Sequence, residues 1–451
     1  MSAVEVMEET QNHFVGEFES FERIVAASDP AWFAPIRKAA IADFAETGFP
    51  TTSHEEWLYT NVSNIAKTPY VRASAEHGAA KSVLSSSLAP ALGGPRLVCV
   101  NGRYSESLSS LANVPNGLQV RSLQSALADR ALPFLEARLA KHAHYKGNPF
   151  IALNTAFLED GVVVHVGKGK VIETPVHIIH VAVGQADPVV TYPRTLVLAE
   201  ENAQVTVVES FVSVSSSSPC LTVAAAELIA EPNAVIDHYR LGRESRDVSH
   251  VGALAVHLER SSRISSNSFS LDGKLVRNNV FAILNGEGAD CILNGLYLLG
   301  DEQHVDNHLR VEHVAPHCHS WEYYKGILDD KSRGVFSGRI FVHKDAQKTD
   351  AKQTNKNLLL SDAARVDTKP QLEIFADDVK CTHGATIGQL DADALFYLRS
   401  RGLGLETARD LLTYAFASES LEQVKIEPLR ENLQLALFQR MQETCHLEEG
   451  V

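Results

Sequence analysis

Two short stretches of this sequence hold side chains able to bind a metal ion. The tighter one reads Asp377-Asp378-Val379-Lys380-Cys381-Thr382-His383-Gly384. A thiolate and a neutral imidazole are both ligands for iron or zinc. Cys381 and His383 flank a single residue, so in an extended segment their side chains share a face. Lys380 favours the thiolate, whereas the two aspartates oppose it. One cysteine and one histidine fall about two ligands short of a tetrahedral cage, a gap that a second chain could fill. Taken alone, the segment reads more plainly as a buried cysteine beside a hydrogen-bonded histidine.

The second stretch is His304, His308, His313, His317, Cys318 and His319. His304 and His308 have the i, i+4 spacing of a helical zinc site, but the glutamate that metal-assisted hydrolysis requires is missing. The surrounding residues read as strand and turn, where that spacing does not converge on one ion. If 317–319 is extended, the two imidazoles point one way and Cys318 the other. These histidines are therefore expected to be hydrogen-bonded or solvent-facing. Other chemical signals are missing: there is no Walker A motif, so this chain is not expected to hydrolyse ATP by itself, and there is no Gly-x-Ser-x-Gly elbow. Gly167-Lys168-Gly169 joins two strand-like runs and reads as a turn, as does Asp329-Asp330 beside Lys331.

The elements that must position these residues are strands. From about Phe150 to Phe375 short aliphatic runs alternate with turn residues: Val162–Val166, Val176–Val181, Thr195–Leu198, Val205–Val208 and Leu221–Val223 come first. An all-β stretch of this length is a sandwich, a barrel, a propeller or a β-solenoid. A weak repeat favours the solenoid. Small residues follow strands at Asn202-Ala203, Asn233-Ala234, Ser261-Ser262 and Gly288-Ala289, then at Asp345-Ala346 and Asp362-Ala363. The stretches beginning at Asp345 and Asp362 look the most alike. Ser215-Ser216-Ser217-Ser218-Pro219 reads as an exposed flexible loop.

Helical patterns flank this core. Phe14, Phe18, Phe21 and Val25 form one stripe; Phe33, Ile36, Ala40 and Phe44 form a second, which Gly48 and Pro50 end. Near the C-terminus Asp391 is a candidate N-cap, Leu395 and Leu398 share a face, and Gly402 stops the helix. Ala408, Leu411, Leu412, Ala415 and Phe416 predict a wide apolar stripe, and Leu429, Leu433 and Leu437 a third helix. The resulting division is a helical region over 1–150, a β core over 151–388 and a helical region over 389–451.

Composition limits the role. The 451 residues carry a formal charge of -15, which argues against a general nucleic-acid binder. The 6 cysteines are dispersed without a Cys-x-x-Cys pair, Met1 to Thr10 has no apolar core of a signal peptide, and the apolar runs are too short to span a bilayer. A reduced cytoplasmic protein without membrane or nucleic-acid partners is expected.

The region from Arg333 to Phe416 carries a longer pattern: Arg333-Gly334-Val335-Phe336-Ser337-Gly338, Asp345 to Asp350, Gln353-Thr354-Asn355-Lys356-Asn357-Leu358, Val366 to Ile374, Ala376 to Gly388 and Leu395 to Gly402. It resembles the SufB/SufD family. Gly384 after the histidine, where the SufB branch has glutamate, and Phe49-Pro50-Thr51 followed by Glu55-Glu56-Trp57-Leu58-Tyr59-Thr60 resemble the SufD branch. The resemblance implies a mainly β fold, a right-handed parallel β-helix between N- and C-terminal helical regions. It implies a non-catalytic scaffold of the SufBCD complex that pairs with SufB through the end of the β-helix and with the SufC ATPase through helices within Asp391 to Ala417. It also implies a transient iron–sulfur cluster or iron at the SufB interface, with His383 and its neighbour Cys381 as ligands, and no cofactor held tightly by the isolated chain. Leu395, Phe396, Tyr397, Arg399, Arg401, Tyr414 and Phe416 become the expected SufC contacts. A homodimer through the family interface is expected when the partner is absent. The rival reading is a β-helix enzyme acting on carbohydrate through Asp290, Asp301 and Asp306; another is a structural homo-oligomer without a metal role.

Overall fold

The aliphatic runs become strands that alternate between two parallel sheets, so each circuit of the chain adds one strand to each. A computed structural model describes residues 3–26, 29–74, 77–84, 86, 88–112, 114–128, 132–214 and 217–445. The first sheet stacks Val162–Val166, Arg194–Ala199, Cys220–Ala230, Val248–Leu258, Leu275–Leu284, His304–His313, Arg333–Val342 and Arg365–Ile374. The second stacks Val176–Val183, Gln204–Val214, Val235–Arg243, Arg263–Ser270, Asp290–Leu299, His319–Leu328, Asp350–Leu359 and Lys380–Gly388. The result is a parallel β-solenoid of about eight turns with helices at both ends of the chain. Its lumen is packed with inward side chains such as Val164, Val197, Val207, Leu228 and Ile236, each contributing on the order of 1.5–3 kcal/mol by burial.

The repeat has a backbone cause. Asn202, Asn233, Ser261, Gly288, His317 and Lys348 all have positive φ at the corner leading from the first sheet to the second. Asparagine and glycine tolerate this region best. Each donates its N–H to a carbonyl of the next coil, from Asn202 to Pro232 through Lys348 to Asp378. The following residue is small or compact and buried: Ala203, Ala234, Ser262, Ala289, Cys318 and Thr349. The first four corners coincide with the repeats read from sequence. The Asp345 and Asp362 stretches do not share a period, however. They turn at opposite corners, the first into the second sheet and the second back out of it. The segment at His317 is likewise a corner and not extended, and Cys318 turns into the core. Gly167-Lys168-Gly169 and Asp329-Asp330 are turns, with positive φ at Gly169 and Asp330. The expected serine loop falls partly outside the described residues.

The N-terminal helices Ala3–Val25 and Ala34–Thr47 bury Phe14, Phe18, Phe21, Val25, Phe33, Ala40 and Phe44. They pack with Leu221, Val223 and Val251 on the outer face of the first sheet. Strands also occur before the core: Arg96–Val100 extends the second sheet beside Val176–Val183, and Leu118–Ser122 lies antiparallel to Val162–Val166. The intervening chain is tied down by Glu227, which pairs with Arg194 at 2.5 Å and accepts N–H groups of Ala140, His142 and Ala143. Farther along, Glu55 bonds Lys369 at 2.6 Å and Trp57 lies 3.8 Å from the Arg277 guanidinium. No helix among the described residues is long and apolar enough to cross a membrane.

The C-terminal helices Ala392–Ser400, Leu405–Leu421 and Glu427–Cys445 follow, the last two packing on the outer face of the second sheet. Asp391 caps the first, its side chain accepting from the Ala394 N–H at 2.8 Å, and Leu429, Leu433 and Leu437 are buried as expected. The stripe expected on Leu405–Leu421 is buried only in part, at Ala408, with Leu412 and Phe416 half-buried. Ala408, Thr413, Ala417, Ser420 and Leu421 are buried, while Leu411 and Ala415 face outward. The helix turns mostly small side chains to the sheet, with Leu421 among them, and keeps Leu405 and Leu411 outside.

Candidate functional site

The last coil decides where Cys381 and His383 sit. In Lys380–Gly388, Cys381 pairs in register with Ala351, His383 with Gln353, Ala385 with Asn355 and Ile387 with Asn357. Those four partners are buried, inward-facing positions, and in-register parallel partners share a face. Cys381 and His383 therefore share the lumen face, as alternation predicts, at the mouth of the solenoid. Among the described residues no further coil covers them, and both final strands are exposed or half-buried along their length.

Cys381 is half-buried against Ile340, Val342, Ala346, Ala351 and Ala376. Burial pushes its thiol up, and the Asp350 carboxylate pushes the same way. The expected contribution of Lys380 is not realised. Alternation sends Lys380 to the other face, and Asp378 is paired with Lys348. His383 stands exposed. Among the described residues no three His, Cys, Asp or Glu side chains converge on one ion, so Cys381 and His383 are two donors on an open edge and not a closed site.

The backbone at this edge is also open. Lys380 donates its N–H inward to Thr349 at 2.8 Å, so the alternate N–H groups of Cys381, His383, Ala385 and Ile387 point away from the solenoid. In the first sheet Arg365 and Phe375 donate inward to Ser332 and Val342. Pro370 therefore falls on the outward alternation, where its missing N–H costs nothing. An unpaired edge of this kind is a template for a strand of another chain.

The histidine stretch assembles no site. His304 bonds the Thr60 hydroxyl at 3.0 Å, His313 bonds the Ser320 hydroxyl at 2.8 Å, and His308 lines a groove beneath the N-terminal segment. Burial holds His308 and His313 down at about 4. The three aspartates of the carbohydrate reading are also separated. Asp306 is buried against Arg277 in the first sheet, Asp301 pairs with Arg246 at a corner, and Asp290 pairs with Arg263 in the second sheet. They line no common groove.

Comparison with known families accounts for nearly the whole chain. Residues 8–178 match the SufBD protein N-terminal region, and residues 180–416 match the SufBD core domain of SUF system FeS cluster assembly. The chain belongs to the SufBD family of iron–sulfur cluster assembly proteins. It is 34% identical to the iron–sulfur cluster assembly protein SufD of Escherichia coli, over 90% of this chain and 93% of that one. It is 33% identical to a SufBD family protein of Synechocystis, over 91% and 92% of the two chains. A chloroplastic protein of Arabidopsis thaliana, ABCI7, is 29% identical over 92% of this chain and 87% of its own.

The SufBD core match ends inside Leu405–Leu421, and on the C-terminal helices several large apolar side chains are exposed. Phe396 is 74% exposed and Tyr397 56%, and Leu405, Leu411, Leu435 and Phe438 are also exposed. Arg399 and Arg401 are exposed, with the Arg401 guanidinium 5.1 Å from the Tyr397 ring. Leu395 and Tyr414 are half-buried, and Tyr414 stacks on Phe438 at 4.6 Å. Phe416 turns toward the solenoid, where Lys325 lies 4.5 Å from its ring. Lys325 also bonds the Phe416 carbonyl at 2.8 Å and pairs with Glu419. The sequence reading missed Leu405, Leu435 and Phe438. Their place in helical patterns carried a signal, but periodicity alone does not tell which apolar side chains stay exposed.

Proposed function

We propose that this SufBD protein is a non-catalytic scaffold subunit that pairs with SufB through the open end of its solenoid and with the SufC ATPase through its C-terminal helices. The observation that carries this reading is the uncovered last coil, which presents unpaired backbone and the donors Cys381 and His383 on one edge. A nascent iron–sulfur cluster is cargo at this edge. This chain offers the imidazole and a half-buried thiol, and SufB completes the ligand set. Burial favours the protonated thiol in the free chain, so taking up metal would release that proton.

Gly384 and Gly388 lie on the same strand, and a Cβ at either would meet nothing. Bare backbone there leaves room for close approach by SufB. The exposed face of Phe396, Tyr397, Leu405 and Leu411 begins only a few residues later and is the surface for SufC. ATP-driven dimerisation of two SufC subunits would pull on these helices and rearrange the adjoining edge. The complex is expected to work in the cytoplasm. The test is co-expression with SufB and SufC, affinity recovery through this chain and sizing of the product. One copy of each scaffold with two of SufC is expected. Assembly of SufB and SufC without this chain would contradict the proposal.

A further inference from the structure

Directly beneath His383 the lumen holds a polar layer. Gln353, the register partner of His383, is buried, and its Nε2 donates to Glu322 Oε2 at 2.6 Å. Glu322 is the register partner of Gln353 one coil further in, and it too is buried. A glycine makes room for this layer: a Cβ at Gly338, across the lumen, would stand 2.1 Å from Gln353 Nε2.

The hydrogen bonding leaves Glu322 Oε1 and Gln353 Oε1 buried without partners. An ionised carboxylate so placed would be left with an unsatisfied oxygen and no balancing cation, which is costly. Burial pushes the Glu322 carboxyl up to about 8, only partly opposed by the Gln353 bond. The titratable groups facing it, Cys291 and Tyr324, are also pushed up by burial and stay neutral. A neutral Glu322 has an O–H to give, and the Gln353 carbonyl is the acceptor that lacks a donor. An amide oxygen accepts two hydrogen bonds, so a second place remains on the Gln353 carbonyl, one coil in from His383.

We propose that Glu322 and Gln353 are positioning residues for His383: Glu322 fixes the Gln353 amide, whose carbonyl takes the inward ring N–H of His383 and leaves the other ring nitrogen bare toward the open edge. Fixing the tautomer of a ligating histidine through its second nitrogen is a general device of metal sites. The inference rests on the ligand role proposed for His383.

The test uses the complex with SufB and SufC, reading iron retained after loading with iron(II) alone and cluster absorbance after assembly. Gln353→Leu is expected to lower both by about tenfold or more, while Glu322→Gln, which keeps a neutral hydrogen-bonding partner, retains them. The parent should lose cluster yield as pH rises through about 8, where Glu322 ionises, and Glu322→Gln should not. Full yield in Gln353→Leu would overturn the positioning role, as would identical pH profiles for parent and Glu322→Gln. The pH comparison decides the matter even if Gln353→Leu fails to fold. His383→Ala separates the two layers of argument, because its failure to reduce yield would remove the ligand role itself.

Discussion

At its N-terminal end the solenoid is covered. Arg96–Val100 and Leu118–Ser122 extend its sheets, helices pack against its flank, and the buried Arg194–Glu227 pair ties down the intervening chain. At its C-terminal end the last two strands lie open. The lumen differs as well. Near the closed end the buried carboxylate of Glu209 is bonded by Thr195, His180 and His238. Burial pushes that carboxyl up, but the two histidines outweigh it and hold it well below the usual range. Near the open end Glu322 has Gln353 alone and is pushed up to about 8. One fold thus keeps an ionised carboxylate where partners are many and a neutral acid where they are few. Covering strands and buried ion pairs are built into the closed end, and unsatisfied hydrogen-bonding capacity is left at the open end, where docking of SufB is proposed.

This contrast can be broken at several points. Glu227→Ala would leave Arg194 buried without its counter-charge and several N–H groups without an acceptor; a loss of about 3–5 kcal/mol in urea unfolding is expected. Leu228→Ala, in the aliphatic lumen, should cost about 2–5 kcal/mol. Ile387→Ala at the open edge of the isolated chain should cost less than about 0.5 kcal/mol. Equal losses for these two would mean that the last coil is covered after all. Acid should act through the buried histidines. His177 is held down at about 3, and His142, His308 and His313 at about 4, chiefly by burial. The unfolded chain binds these protons from about 6.5 downward and the folded chain does not. The contribution of these histidines is therefore full above 6.5, and the thermal midpoint should fall as pH drops from there toward 4.

Much of this architecture was legible in the residues. The runs at Val162, Val176 and Val205 are strands, and Asn202, Asn233, Ser261 and Gly288 mark corners because those positions need positive φ. The shared face of Cys381 and His383 followed from alternation alone. What the residues did not disclose depends on pairs distant in sequence. The Arg194–Glu227 bond, the strands at Arg96 and Leu118, and the Glu322–Gln353 layer become visible only once the coils are stacked. The outward face of Leu411 and Ala415 was not legible either, because periodicity shows that a helix has an apolar face but not where that face points.

The most direct test replaces His383 with alanine and purifies the chain together with SufB and SufC after cluster assembly. Because His383 is exposed and its strand is held by the backbone ladder to Asp350–Leu359, the complex should form with unchanged stoichiometry while its visible cluster absorbance is lost. A variant complex that carries the cluster at the parent level would contradict the assignment of the open end as the place where the cluster forms.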